Sequence, residues 1–285
     1  MNVNLVNVAF TVRDARGIMP AGLTKDDFDV IEDGAPQKIS FFARGDDVPL
    51  MLGLIVDVSG SQEHFFKQHD RHLEKFVTDV LGPRDRAFLV CFENHVRLIS
   101  DFSPSSARMM DAMRRFDHGD RKFPELGPPE LRDLGTAFYD AIYYALSEKL
   151  ASQAGGRKAL IVFSDGEDNS SAHHMMEAIE AAQTEDVRIF GIRYTETRHG
   201  RLTARNKYGT SVMRRMGLET GGTDFDAAQT NIETSFQEIG NDLRSTYELA
   251  YVPSNTDRNG SFRKIVIRPK RPGLTVRVKT GYFAR

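Results

Sequence analysis

From about residue 48 to residue 245 the chain repeats one pattern. A short continuous apolar run is followed by a longer stretch with apolar positions every three or four residues. Pro49-Leu-Met-Leu-Gly-Leu-Ile-Val-Asp57 is such a run, and its lack of alternation marks a strand buried on both faces of a parallel sheet. Residues 159–163 and 187–192 read the same way. Residues 87–92 and 96–99 lie close enough to form a hairpin, and 223–225 is a weaker strand. Helical periodicity occupies 62 to about 80, 105–116, 136–150 and 232–243, and it recurs after the strands ending at 163 and 192. Such alternation requires right-handed crossovers. It predicts an α/β fold: a doubly wound, mostly parallel sheet with helices on both faces.

The two ends have a different texture. Residues 3–12 and 28–31 alternate as strands, a short capped turn begins at Thr24, and Asp33-Gly34 turns the chain toward Ile39-Ser-Phe-Phe42. Residues 247–252, 262–267 and 274–278 are also strands, separated by Asn259-Gly260 and Pro272-Gly273. Each end is too short to bury a core alone, so both are expected to pack together as a small β subdomain. The expected organisation is N-terminal strands over 1–47, the α/β domain over 48–245 and C-terminal strands over 246–285.

Composition narrows the function classes. A length of 285 residues with 40% hydrophobic and 27% charged residues suits a folded core with a polar surface. A formal charge of −2 gives no basic field, so no nucleic-acid partner is expected. No apolar run approaches the roughly 18 residues needed to span a bilayer, so no membrane insertion is expected. The N-terminus alternates like a strand and lacks the features of a signal peptide. This leaves a cytoplasmic protein or one whose leader is absent from the sequence. The single cysteine, Cys91, sits in an apolar strand and reads as a small core residue.

In open α/β sheets, ligands bind beyond the carboxyl ends of the strands, near the point where strand order reverses. The first buried strand runs into Asp57-Val-Ser59-Gly-Ser61, the one ending at Phe163 into Ser164-Asp165-Gly-Glu-Asp-Asn169, and Leu134-Gly-Thr136 opens a helix. All three segments should reach one edge and offer hard oxygen donors. These suit Mg²⁺, with Mn²⁺ or Ca²⁺ possible, better than zinc. Alternate spacing in Asp-x-Ser-x-Ser lets every second side chain point inward, with Gly60 expected to permit a tight turn. Of Asp57, Ser59, Ser61, Thr136 and Asp165, only two carry charge, so a bound ion would keep excess positive charge and an open position for an outside carboxylate. The plainer alternative is a helix cap at Ser59 or Ser61 and an ordinary turn at 164–168.

These three segments, with Gly135-Thr-Ala-Phe-Tyr-Asp-Ala141 and Asp85-Arg-Ala-Phe-Leu-Val90, resemble the loops and second strand of von Willebrand factor A-type (VWA) domains, which carry a metal-ion-dependent adhesion site. The resemblance covers about 48 to 245, and none of the five ligand positions departs from the pattern. It implies that Ser59, Ser61 and Thr136 ligate the ion directly or nearly so, and that Asp57 and Asp165 act partly through water. It also implies a protein or peptide partner presenting an acidic side chain, and loop shifts around Thr136 coupled to the last helix. The flanks, with Gly22-Leu-Thr-Lys-Asp-Asp-Phe28, Glu32-Asp-Gly, Leu243-Arg-Ser-Thr-Tyr247 and Gly281-Tyr-Phe283, resemble the acidobacterial VWFA-related family. That resemblance implies an exported protein, periplasmic or extracellular.

His64, His69 and His72 share the first helix but lack His-Glu-x-x-His spacing, and they read as a solvated face, as do His173-His174. Residues 198–207 carry Arg198, Arg201, Arg205 and Lys207 with no acid. They read as a mobile solvated loop or as a basic rim that steers an acidic partner. The loop from Asp117 to Asp133 should border the same edge. No nucleophile elbow, phosphate loop or dinucleotide fingerprint is present, so a binding module rather than an enzyme is expected. The alternatives are a metal-dependent hydrolase at the same site, for which Asp140, Glu167 and Asp168 are nearest in sequence, or a scaffold that holds no metal.

Overall fold

A computed structural model describes residues 5–45, 48–128, 134–195, 197–198 and 201–284. The end of the 117–133 loop, His199, Gly200 and the Arg198 side chain lie outside the described residues. In chain order the strands are β1 (Val6–Arg13), β2 (Phe28–Glu32), β3 (Ala35–Gln37), β4 (Ile39–Gly45), β5 (Leu50–Asp57), β6 (Arg86–Phe92), β7 (Val96–Ser103) and β8 (Arg157–Ser164). They continue as β9 (Arg188–Arg193), β10 (Thr197–Arg198), β11 (Arg201–Leu202), β12 (Thr223–Asp226), β13 (Thr246–Tyr251), β14 (Phe262–Pro269), β15 (Thr275–Val278) and β16 (Gly281–Phe283). The helices are α1 (Phe66–Val80), α2 (Ser106–Asp117), α3 (Phe138–Tyr144), α4 (Met175–Thr184), α5 (Ala204–Thr220) and α6 (Ile232–Arg244).

Six strands form the central sheet in the order β12-β9-β8-β5-β6-β7. All neighbours are parallel except β7, which closes the edge antiparallel to β6 as the expected hairpin. The continuous apolar runs are explained by two buried faces. Leu52, Leu54 and Val56 of β5 meet α1, α2 and α6 on one side through Leu73, Phe76, Met109 and Phe236. Ile55 of β5 and Val162 of β8 meet α3, α4 and α5 on the other through Ile142, Ile179 and Val212. From β5 the chain first builds outward through β6 and β7, then returns to build β8, β9 and β12 on the opposite side. Strand order therefore reverses between β5 and β8, the place where ligands bind in open α/β sheets.

The ends form two antiparallel sheets, β15-β1-β13-β4 and β16-β14-β2-β3, each mixing strands from both termini. Alternating Val8, Phe10 and Val12 of β1 pack with Phe28, Val30, Tyr247, Leu249, Ile265 and Ile267. Arg13 and Arg277 both bind Asp242 of α6, which ties this small β unit to the α/β block. Among the described residues no helix is long and apolar enough to cross a membrane.

Candidate metal centre

The loops leaving β5 and β8 meet at the reversal point. Asp57, the last residue of β5, is fully buried; its Oδ1 accepts the Ser59 amide at 3.0 Å and its Oδ2 accepts the Ser164 hydroxyl at 2.6 Å. The Ser59 and Ser61 hydroxyls lie 3.3 Å apart. The Ser61 hydroxyl donates to Asp165 Oδ2 at 2.9 Å, joining positions 104 residues apart in sequence. Asp165 Oδ1 accepts the Glu167 amide at 3.0 Å. Gly60, expected to be needed for the turn, keeps an ordinary backbone angle, and a Cβ there would meet nothing within 4 Å. The loop instead turns as a tight 3-10 helix over Gly60–Phe65, with extended Ser59 just before it, and the Ser59 and Ser61 hydroxyls stay close together.

Thr136 is fixed through its backbone. Its amide donates to Asn169 Oδ1 at 2.7 Å, and its carbonyl accepts the amides of Asn169 and Ser170 at 3.1 and 3.3 Å. Gly135 has φ 134°, and a Cβ there would fall 2.6 Å from the Ser170 Cβ, so this close crossing needs glycine. Asp168 Oδ1 accepts the Phe138 amide at 2.9 Å and thereby caps α3 from another loop. The helix accordingly starts two residues later than the sequence suggests and continues beyond Tyr144 as a wider π turn over Ala145–Leu150. Asp140, fully buried, accepts the amides of Ala172 and His173, both at 2.9 Å. Both acids thus support the loops.

Burial pushes the Asp57 carboxyl up to about 7, and the nearby Asp165 charge adds to this. Two carboxylates, one of them desolvated and with no cation beside it among the described residues, next to the Ser59 and Ser61 hydroxyls, form an oxygen donor set that fits a hard divalent ion. Among the described residues no three His, Cys, Asp or Glu side chains gather as a metal site.

Several side chains depart from the sequence reading. His69 is 1% exposed rather than solvated; it packs against Tyr194 with ring centroids 4.2 Å apart, and burial pushes its pKa down to about 3. His72 Nδ1 is hydrogen-bonded to the Tyr194 hydroxyl at 2.7 Å. His173 stacks on Tyr143 and pairs with Asp140 at 2.7 Å. In the basic segment, Arg205 is exposed but ion-paired to buried Glu167, which Asn206 also holds at 3.1 Å. α5 is pressed against the site, since a Cβ on Gly209 would fall 2.3 Å from the Asp165 carbonyl oxygen. Gln62, unremarked in the sequence, donates to Asp165 Oδ2 at 2.8 Å. A polar residue on the apolar side of an amphipathic segment was the signal available for both Gln62 and His69.

Comparison with known proteins agrees with this architecture. The von Willebrand factor type A domain family matches residues 52–240. No curated protein matches. Proximal thread matrix protein 1 from the mussel byssus, with a zinc-occupied MIDAS motif, superposes with a TM-score of 0.52 at 15% identity, covering 74% of this chain and 50% of that one. An aerotolerance-related membrane protein from Bacteroides fragilis, with multiple mutations to serines, gives a TM-score of 0.50 at 16% identity, covering 68% of this chain and 98% of that one. At such identities the likeness is one of fold. With its central sheet, its loop placement and the family match over most of its length, the chain belongs to the von Willebrand factor type A domain family.

Proposed function

We propose that the chain is a metal-dependent binding module that captures an acidic side chain of a protein or peptide partner. The observation that carries this reading is the meeting of Ser61 and Asp165, 2.9 Å apart, beside buried Asp57 at the reversal of strand order. Ser59, Ser61 and Thr136 would offer hydroxyl oxygens to Mg²⁺ or a similar ion, and Asp57 and Asp165 would supply charge, partly through water. A bound ion supplies an open coordination position with residual positive charge for an incoming carboxylate oxygen. The small hydroxyl residues leave room for that oxygen, and Asp168 and Asn169 hold the Thr136 segment still. Asp140, Glu167 and Asp168, the nearest acids, are engaged by backbone amides or Arg205, which supports binding over hydrolysis.

The test is selection of peptides from a displayed random library in Mg²⁺ and in chelator. Peptides enriched only with Mg²⁺ should contain Asp or Glu, and Asp165→Ala should not select them. Enrichment indifferent to Mg²⁺ or to acidic residues would overturn the reading. We further propose that the module works outside the cytoplasm, a setting supported by its likeness in fold to a byssus matrix protein and a membrane protein. Fractionation of cells expressing the complete gene tests this, and recovery in the cytosol alone would refute it.

A further inference from the structure

Immediately after Ser61 the chain carries a glutamine whose side chain turns inward, 1% exposed. The Gln62 amide nitrogen lies 2.8 Å from Asp165 Oδ2 and 3.3 Å from the Tyr194 carbonyl oxygen. Both partners are pure acceptors, so they fix which end of the carboxamide faces them: the NH₂ group, with one hydrogen for each. Its other end is costly. The Gln62 Oε1 atom is buried with no partner among the described residues. For the fold alone, an apolar side chain of the same length would serve better than a buried amide with one unpaired atom.

The two donated hydrogen bonds offer a reason for the amide. With Gln62 present, Asp165 is held at three points: Ser61 and Gln62 on Oδ2 and the Glu167 amide on Oδ1. Without it, Oδ2 would keep one bond, to a serine hydroxyl that can rotate. The Tyr194 carbonyl anchors Gln62 just past the end of β9, so the amide also links the β5 loop to the next strand edge.

We propose that Gln62 is a positioning residue of the metal centre, fixing the plane of the Asp165 carboxylate so that it faces the ion. This rests on the reading of Asp165 as a residue that serves the ion. Groups that orient metal-binding side chains in this way change affinity by about 10- to 100-fold when removed.

The experiment measures Mn²⁺ affinity by calorimetry and the melting temperature of chelator-treated protein, for wild type, Gln62→Met and Gln62→Leu. Mn²⁺ electron paramagnetic resonance of the loaded forms reports the symmetry of the site. The expected result is affinity lowered about 10-fold or more in both variants, with an altered Mn²⁺ spectrum and an unchanged or higher metal-free melting temperature. Equal Mn²⁺ affinity in all three would overturn the proposal while leaving the metal site intact. A metal-free melting temperature that falls along with affinity would overturn it too, by showing a purely structural role. No Mn²⁺ binding by folded wild type would instead remove the reading of the site itself, and this inference with it.

Discussion

Asp57 and His69 show how burial at this edge sets opposite pH responses. The folded Asp57 carboxyl titrates at about 7, above its ordinary 3.8. Between those values the folded metal-free protein holds a proton that the unfolded chain releases, so stability falls as pH rises through this window. His69 does the reverse: its folded value of about 3 lies below the ordinary 6.5, so stability falls as pH drops from about 6.5 toward 3. In chelator, Asp57→Asn should flatten the first dependence and His69→Phe the second, read as denaturation midpoints across pH. Unchanged slopes would show that neither group titrates as its burial implies. The acid followed by two serines at alternate positions was legible in sequence because it stands at the end of a run too apolar to be anything but a buried strand. His69 was not, because helical periodicity places it on a face without saying how far Tyr194, distant in sequence, reaches across to cover it.

At the scale of elements, the loop after β8 does more than bring Asp165 to the edge of the sheet. Through Asp168 it caps α3, and through Asn169 it grips the backbone of Thr136. Loss of a helix cap costs about 0.5 to 2 kcal/mol. Asp168→Ala should therefore lower stability by about that amount and weaken Mn²⁺ binding by loosening Thr136. Wild-type stability and affinity in this variant would contradict the role of the cap. These cross-links also bear on the loop shifts that the family resemblance implies. Residues 134–137 and 165–173 are bolted together, so hydrogen exchange should show metal protecting both segments as one unit. Protection confined to one of them would contradict that coupling. The strands and helices of the central block were readable because each obeys its own period. The rigid joint between two loops was not, since it depends on a glycine at φ 134° and on asparagine and aspartate side chains whose partners lie about 30 residues away.

Across the whole molecule, both termini are needed to complete one β unit. β1 lies between β13 and β15, and β2 pairs with β14, so neither end has a full sheet of its own. Removing residues 1–45 would uncover Tyr247, Leu249, Tyr251, Ile265 and Ile267. The melting temperature of the truncated protein should fall by many degrees or the protein should aggregate; an unchanged midpoint would contradict the proposed division of the chain. That two β-rich ends meet was inferable from their shared alternation and short length. Which strands pair was not, because β3 is only three residues long and sheet order is set by long-range packing. The central claim, however, concerns the edge where β5 and β8 end. Calorimetric titration of Mg²⁺ and Mn²⁺, with Zn²⁺ for comparison, into chelator-treated protein tests it most directly, beside Asp57→Ala and Asp165→Ala. The account predicts saturable binding of one ion by the wild type and its loss in both variants. A folded wild-type protein that binds no divalent ion, or variants that bind as well as it does, would contradict the account.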